Sequence, residues 1–306
     1  MAIQVFGHKS PDTDSTGSAI LWAWYMNEVE GHSAEAVLLG APNTEAAFML
    51  DRWDLPSPAI IEDVADETAV VIVDTNNPLE LPTNINNADI QAIIDHHKLV
   101  GGLETKGPIN ITMRPLACTA TIMVDLMGDD AAKMPHWAKG AALTCILSDT
   151  LEFRSPTTTD HDKAVAEKLA ADLGIDIPSY AAEMFAAKSD VSSFSDAQLI
   201  RMDSKQYEVD GTKFLVSVLE TTAPAVVLDR KDSLMDSLIT VASEDGVDQV
   251  LFFVIDILNK KATLLVPNDL VKTVAEQSFD ATINGDTVVL HGVMSRKKQI
   301  IPNLKV

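Results

Sequence analysis

The sequence predicts an α/β protein of two domains, an N-terminal parallel sheet flanked by helices and a smaller C-terminal mixed α/β domain. Three observations predict it. Short β-branched runs such as "AVVIVD" and "IQAIIDHH" alternate with helical stretches in the first half, which is the pattern of a parallel sheet covered on both faces. A polar, Ser-rich segment, "KSDVSSFSD", interrupts that pattern at residues 188–196. Beyond it, strand and helix signals restart, and 306 residues at 46% hydrophobic content can build two cores. The expected division is 1–188 for the first domain, 189–195 for a hinge linker and 196–306 for the second.

Taken in order, "AIQVFGH" reads as a buried strand, and "STGSAILWAWYMNEVEG" as a helix capped by Ser15 or Thr16 and ending at Gly31. "AEAVLLG" is a second short strand and "NTEAAFMLDRWDL" a helix. "AVVIVD" and "IQAIIDHH" are further buried strands. From Cys118 to Lys188 the chain is helix-rich, with "TATIMVDLMG", "HWAKGAALTCILSDTLEF" and "DHDKAVAEKLAADLG". After the linker, "SKQYEVDGTKFLVSVLET" is a strand pair turning at Asp210-Gly211. "DSLMDSLITVASEDG" is a helix, "VDQVLFFVIDILNKKATLLVP" another strand pair, and "GDTVVLHGVMSRKKQIIPNL" closes the chain. Trp22, Trp24, Tyr25 and Met26 sit at helical spacing and read as packing.

Composition excludes several functions. The net charge of −22 argues against a nucleic-acid track, since phosphate backbones recruit Lys and Arg. Residues 196–306 hold 12 basic against 16 acidic side chains, a balance of −4, which leaves −18 for the first part. No apolar run reaches membrane-spanning length, and no basic-then-apolar leader opens the chain. Cys118 and Cys145, each in an apolar segment, read as buried free thiols, so a cytoplasmic location is expected.

Chemistry is concentrated at strand ends. "HKSPDTDS" sets His8, Asp12 and Asp14 on the turn after the first strand. Asp74 ends "VVIVD", and Asp95-His96-His97 ends "IQAIIDHH". Ligands of an open parallel sheet bind outside the carboxyl ends of its strands, so these residues converge on one rim. Asp149, near the end of "AALTCILSD", is a lone acid in an apolar context where an uncompensated charge is costly. A single Asp at a strand end is an ordinary turn residue. Their joint placement is not ordinary. Several carboxylates at one rim repel each other unless cations sit among them, and Lys9 and Lys98 are too few. Imidazole mixed with carboxylate suits Mn²⁺, Co²⁺, Fe²⁺ or Zn²⁺ more than Ca²⁺. Two such ions about 3.5–4 Å apart activate water for in-line phosphoryl displacement.

"HKSPDTDS", "VVIVD", "DHH", "ILSDT", "DSKQY" and "SRKKQ" together resemble the manganese-dependent (family II) inorganic pyrophosphatases of the DHH phosphoesterase superfamily, in order and over nearly the whole chain. DHH alone marks only the superfamily; "DSKQY" with "SRKKQ" is much more specific. The regulatory variety, with a nucleotide-binding insert, is not matched. The resemblance implies a DHH-type first domain holding two Mn²⁺ (or Co²⁺) per subunit, with additional Mg²⁺ arriving with substrate. One ion would be held by His8, Asp12 and Asp74, the other by Asp14, Asp74, His96 and Asp149, with a water or hydroxide completing the bridge as nucleophile. His97, Asp12 and Asp74 would act in catalysis, with His97 facing the substrate. Asp95 would brace the ligand histidines from behind. Lys205, Arg296 and Lys297 of the second domain would hold the phosphates and close over them. Inorganic pyrophosphate is the implied substrate, and a homodimer through the N-terminal domain the implied assembly.

The rival enzyme reading is a DHH-family exonuclease or cyclic-dinucleotide phosphodiesterase. Such enzymes carry a glycine-rich run in the second domain, where this chain has "VLHGVMSRKKQ". A non-catalytic metal or phosphate sensor is the rival from another class; it would be expected to lack a ligand or a substrate cation, and none is missing. His32, His136, His161 and His291 have no ligand-like partners in sequence, and Lys298 reads as a solvated neighbour of the motif.

Overall fold

A computed structural model describes residues 2–306 apart from Asp190, Ser192, Thr282 and Asn284. The first of its two compact units ends at Met184 and the second runs from Phe185 to Val306. None of the described helices is long and apolar enough to cross a membrane.

The first unit is built from β1 (Ile3–Phe6), α1 (Thr13–Glu28), β2 (Ala34–Leu38), α2 (Thr44–Arg52), β3 (Ala59–Ile60), β4 (Ala69–Val73), β5 (Asp89–Asp95), β6 (Asn110–Met113), α3 (Thr119–Met127), α4 (His136–Thr150) and α5 (Asp160–Leu173). Among the described residues its six strands pair in the order β3-β2-β1-β4-β5-β6, parallel throughout. The order reverses at β1, which has β2 on one side and β4 on the other. A crevice opens at such a switch point, beyond the carboxyl ends of the strands. Phe6, Val37, Val70, Ile72, Ile90 and Ile93 form the apolar layer along the sheet. Helix α1 packs on α4. Gly17 sets their spacing, because a Cβ there would lie 2.2 Å from Cys145 Sγ.

Two local expectations are corrected. The cap of α1 is Asp12, not Ser15 or Thr16, and the helix starts two residues earlier than the expected segment. Asp12 Oδ1 accepts the Ser15 N–H at 2.9 Å, which satisfies a first-turn donor and leaves the hydroxyls of Ser15 and Thr16 inside the helix. Strands β3 and β6, of two and four residues, are sheet edges that the sequence pattern did not signal.

Helix α6 (Ile177–Ser189) runs across the division between the units. The second unit continues with α7 (Asp196–Met202), β7 (Ser204–Val209), β8 (Thr212–Thr221), α8 (Pro224–Leu228), α9 (Lys231–Glu244), β9 (Gln249–Asp256), β10 (Lys261–Leu265), α10 (Asp269–Phe279) and β11 (Thr287–His291). Its sheet runs β11-β10-β9-β8-β7, with β8 and β9 parallel and the other pairs antiparallel. Asp210 and Gly211 both adopt left-handed φ values, 51° and 84°, as a two-residue hairpin turn requires. Leu215, Phe252, Leu234, Leu238 and Val241 form the core under this sheet.

The Ser-rich stretch expected as a linker begins inside α6, and its Asp190 and Ser192 lie outside the described residues. What is described of it is bonded to the second unit. Ser189 Oγ accepts the Thr222 N–H at 2.9 Å, and Arg230 donates to the carbonyls of Val191 (3.3 Å) and Phe194 (2.9 Å). The two compact units divide before this stretch, between Met184 and Phe185.

Candidate active site

Three adjacent strands end in the residues that matter. His8 follows β1 after Gly7, where a Cβ would collide with Ser15 Oγ at 2.0 Å. That hydroxyl accepts the His8 N–H at 3.1 Å, so the glycine lets the turn fold back onto α1. Asp74 follows β4 directly. Its φ of 57° lies in the left-handed region that Asp tolerates better than most side chains, and its N–H still pairs with Ile94 O at 2.9 Å. Asp95 is the last residue of β5, with His96 and His97 next.

Asp74 faces two histidines at once. Its Oδ2 lies 3.4 Å from His8 Nε2 and its Oδ1 3.3 Å from His96 Nε2. His8 Nε2 is also 3.5 Å from Asp12 Oδ2. One donor atom each from His8, Asp12 and Asp74 falls within a mutual 4.8 Å, as does one each from Asp14, His96 and Asp149. Asp74, His96 and His97 form a third such group. In that group, however, His97 Nδ1 is 2.8 Å from Asp95 Oδ1, a bond that competes with ligation.

The support behind these side chains is specific. His96 Nδ1 lies 3.1 Å from Leu116 O, a carbonyl that can only accept, which keeps a proton on Nδ1 and turns Nε2 toward Asp74. Asp95, expected to brace the ligand histidines, bonds His97, through Nδ1 at 2.8 Å and the backbone N–H at 3.0 Å. Asn76 holds Asp95 in turn, donating to its Oδ2 at 2.5 Å while binding Lys98 O and Val100 N–H. Asp14 receives Thr119 N–H (2.6 Å), Ala120 N–H (3.1 Å), Ser18 Oγ (2.9 Å) and Cys118 Sγ (3.1 Å). Thr119 Oγ1 reaches Asp74 Oδ1 at 3.1 Å. Cys118 and Cys145 are buried free thiols, and burial followed by the charge of Asp14 raises both.

Charge divides the carboxylates into two kinds. Burial pushes Asp74 up, but His8, His96 and His97 outweigh it and hold the group well below the usual range. Asp12 is lowered in the same contest, by His8. Asp14 is pushed up to about 6 by burial and then by Asp74. Asp149 is pushed well above the usual range by burial, then by Asp14, Asp12 and Asp74. Asp149 Oδ2 is buried with no hydrogen-bond partner among the described residues. Acids that repel one another, an orphaned carboxylate oxygen and interleaved imidazoles form a donor set that fits divalent transition-metal ions.

In the second unit Lys205 lies on β7, and Arg296 and Lys297 on a single π-helical turn, Arg296–Ile300. Arg296 donates to Asp203 Oδ1 (2.6 Å) and Asp203 O (2.9 Å), two residues before Lys205. Gln299 Oε1 accepts the N–H groups of Met294 and Ser295, and its Nε2 donates to Gly292 O, which closes the loop carrying the cations. Lys298 is exposed. Of the histidines set aside in the sequence, His161 pairs with Asp125 at 2.8 Å and His136 lies edge-on to Trp53.

Sequence reasoning missed Glu45, Asn76, Thr119 and the Leu116 carbonyl. None has a local signature; each acts on a residue 19 or more positions away.

Residues 2–148 match the DHH family, N-terminal domain, and residues 182–306 the DHHA2 domain. A probable manganese-dependent inorganic pyrophosphatase of Lactobacillus helveticus is 34% identical over 98% of this chain and 96% of its own. Its counterpart in Bacillus mycoides is 36% identical over 99% and 97%. The crystal structure of a putative family II inorganic pyrophosphatase of Methanococcus jannaschii superimposes with a TM-score of 0.87 at 33% identity, covering 98% of both chains. An exopolyphosphatase-related protein of Bacteroides fragilis, at 14% identity and a TM-score of 0.51 over 98% of this chain and 89% of its own, shares the fold. With both domain models in sequence order and full-length relatives above 30% identity, the chain belongs to the manganese-dependent, or family II, inorganic pyrophosphatases.

Proposed function

We propose that this chain hydrolyses inorganic pyrophosphate to two orthophosphates, with Mn²⁺ or Co²⁺ as its resident ions. The observation that carries the reading is Asp74, one carboxylate shared between two donor groups at the rim of a parallel sheet. His8, Asp12 and Asp74 would hold one ion, and Asp14, Asp74, His96 and Asp149 a second. Two bound cations would offset the acidic rim, activate water and clamp phosphoryl oxygens, and Mg²⁺ would enter with the substrate.

The chain's own residues do the rest. Leu116 O keeps His96 in the tautomer that presents Nε2. Asp95 keeps the His97 ring in one orientation, so that His97 meets the substrate as a fixed hydrogen-bond donor or acid. Lys205, Arg296 and Lys297 bind the phosphates, Arg296 as a fork and the lysines as point charges. Closure of the second domain, 196–306, over the metal-binding first domain, 1–188, would bring these cations to the substrate, and opening would release product. A homodimer through the first domain and a cytoplasmic location complete the proposal, the latter supported by the two reduced thiols.

Phosphate release in the presence of Mn²⁺ tests the reading, with pyrophosphate, a dinucleotide and ATP compared side by side. Pyrophosphate should be cleaved at least 100-fold faster than either nucleotide. Faster cleavage of the dinucleotide would transfer the chain to the exonuclease reading, and no cleavage with intact Mn²⁺ binding to the sensor reading.

A further inference from the structure

Glu45 is a carboxylate with 1% exposure, buried in the first turn of α2 behind the acidic rim. Its Oε2 accepts Thr13 Oγ1 at 3.1 Å and Ser148 Oγ at 2.5 Å. Thr13 stands between Asp12 and Asp14, and Ser148 immediately precedes Asp149. One oxygen atom therefore ties the start of α1 to the end of α4. Both helix ends carry residues expected to hold a cation.

We propose that Glu45 is a positioning residue that sets the separation of Asp14 from Asp149, an inference that rests on the metal-binding reading above. Two features make such a tie necessary. The helix gives no downstream frame for Asp149, because α4 ends one residue later and Leu151, Glu152 and Phe153 all take left-handed φ values of 49°, 51° and 67°. Donor atoms of Asp14 and Asp149 also lie within 4.8 Å of one another, so without ions two acids face each other across the helix ends. A cross-brace behind them opposes that separation. Gly17 against Cys145 holds the helices close further along, and Cys145 Sγ donates to Thr13 O at 3.2 Å. The brace is completed at the ligand end by Glu45 alone among the described side chains, since no other one bonds both Thr13 and Ser148. A glutamate from a different helix suits this work because it accepts from both hydroxyls without needing a donor itself.

The test is a calorimetric Mn²⁺ titration of the full, chelator-stripped chain as wild type, Glu45→Ala, Glu45→Gln, Ser148→Ala and the Glu45→Ala/Ser148→Ala double variant. Loss of a group supporting a ligand weakens metal binding about 10–100-fold. Glu45→Ala should show a loss of that size in the weaker of two Mn²⁺ steps. Glu45→Gln, whose amide oxygen still accepts, should recover most of it. Ser148→Ala, a one-atom deletion that leaves the fold in place, should weaken the same step, and the double variant should be no weaker than Glu45→Ala. If Glu45→Ala fails to fold, Ser148→Ala and Glu45→Gln still decide. A wild-type isotherm in Ser148→Ala, or additive losses in the double variant, would overturn the proposal. If wild type itself takes up no Mn²⁺, the metal reading falls and this inference with it; two Mn²⁺ bound unchanged in every variant would overturn the inference alone.

Discussion

Asp14 of α1 accepts the backbone N–H of Thr119 at 2.6 Å, so a carboxylate of one helix caps the N-terminus of another, α3. Cys118, at the cap position itself, makes no such bond. A side chain expected to hold a cation thus also anchors the loop whose Leu116 carbonyl orients His96. That double duty has a consequence for pH. In the metal-free protein burial and Asp74 hold the Asp14 carboxyl at about 6, above the unfolded value of about 4. The folded state then binds the extra proton between those values, so this group's contribution to stability is full below about pH 4 and is lost as pH rises through about 6. Thermal melts in chelator from pH 4 to 8 should show wild type losing ground to Asp14→Asn across that window. The asparagine still accepts from Thr119 and does not titrate. A wild-type-minus-variant difference flat with pH would contradict the assignment.

Asp149→Asn should separate stability from metal binding. Removing a charge that three other acids repel should raise the melting temperature in chelator by about 2–4 °C, the size of roughly 1 kcal/mol in a chain of this scale. With Mn²⁺ the order should reverse, because one ligand is weakened and activity falls about 10–100-fold. Melts with and without Mn²⁺ check both signs. An unchanged Mn²⁺ titration would return Asp149 to a structural role.

Arg296→Ala should leave Mn²⁺ affinity unchanged, since every side chain proposed to hold a cation lies in the first domain. It should lower kcat/KM by roughly 2–4 kcal/mol, the cost of losing a fixed donor to transferring phosphoryl charge. Lys298→Ala, at an exposed position, should do little. Steady-state kinetics on the two variants and on Lys297→Ala provide the contrast. Three equal effects would make "SRKKQ" a solvated run.

Asp95→Asn should act through His97 alone. The Asp95 carboxylate accepts from His97 and from Asn76, and an amide cannot accept in both places with the same geometry. Activity should fall at least tenfold with His96-dependent Mn²⁺ binding preserved. Combined with His97→Ala, it should cost nothing further. Additive losses in the double variant would show that Asp95 reaches the reaction by another route.

Much of the site was legible because it sits where strand periodicity ends. His8, Asp74 and Asp95-His96-His97 each follow a run of apolar residues, and parallel topology then carries them to one rim without further information. Asp149 was legible for a different reason, as a charge stranded in apolar sequence. The supports were not legible. Glu45 lies 32 residues from Thr13 and 103 from Ser148, and the group that orients His96 is a backbone carbonyl, which no residue type announces. The cap of α1 was misread because Asp12, Thr13, Asp14, Ser15 and Thr16 can all cap a helix, and only the fold-back over Gly7 selects Asp12. The final Gln of "SRKKQ" has a structural reason that sequence could not supply, its three bonds to the loop backbone.

In the proposed site one carboxylate, Asp74, would join two cations. Electron paramagnetic resonance of the chelator-stripped chain loaded with two equivalents of Mn²⁺ tests it most directly, because ions about 3.5–4 Å apart couple magnetically. Wild type should give an exchange-coupled pair spectrum that disappears in Asp74→Ala. Two independent mononuclear signals in wild type, or a single bound ion, would contradict it.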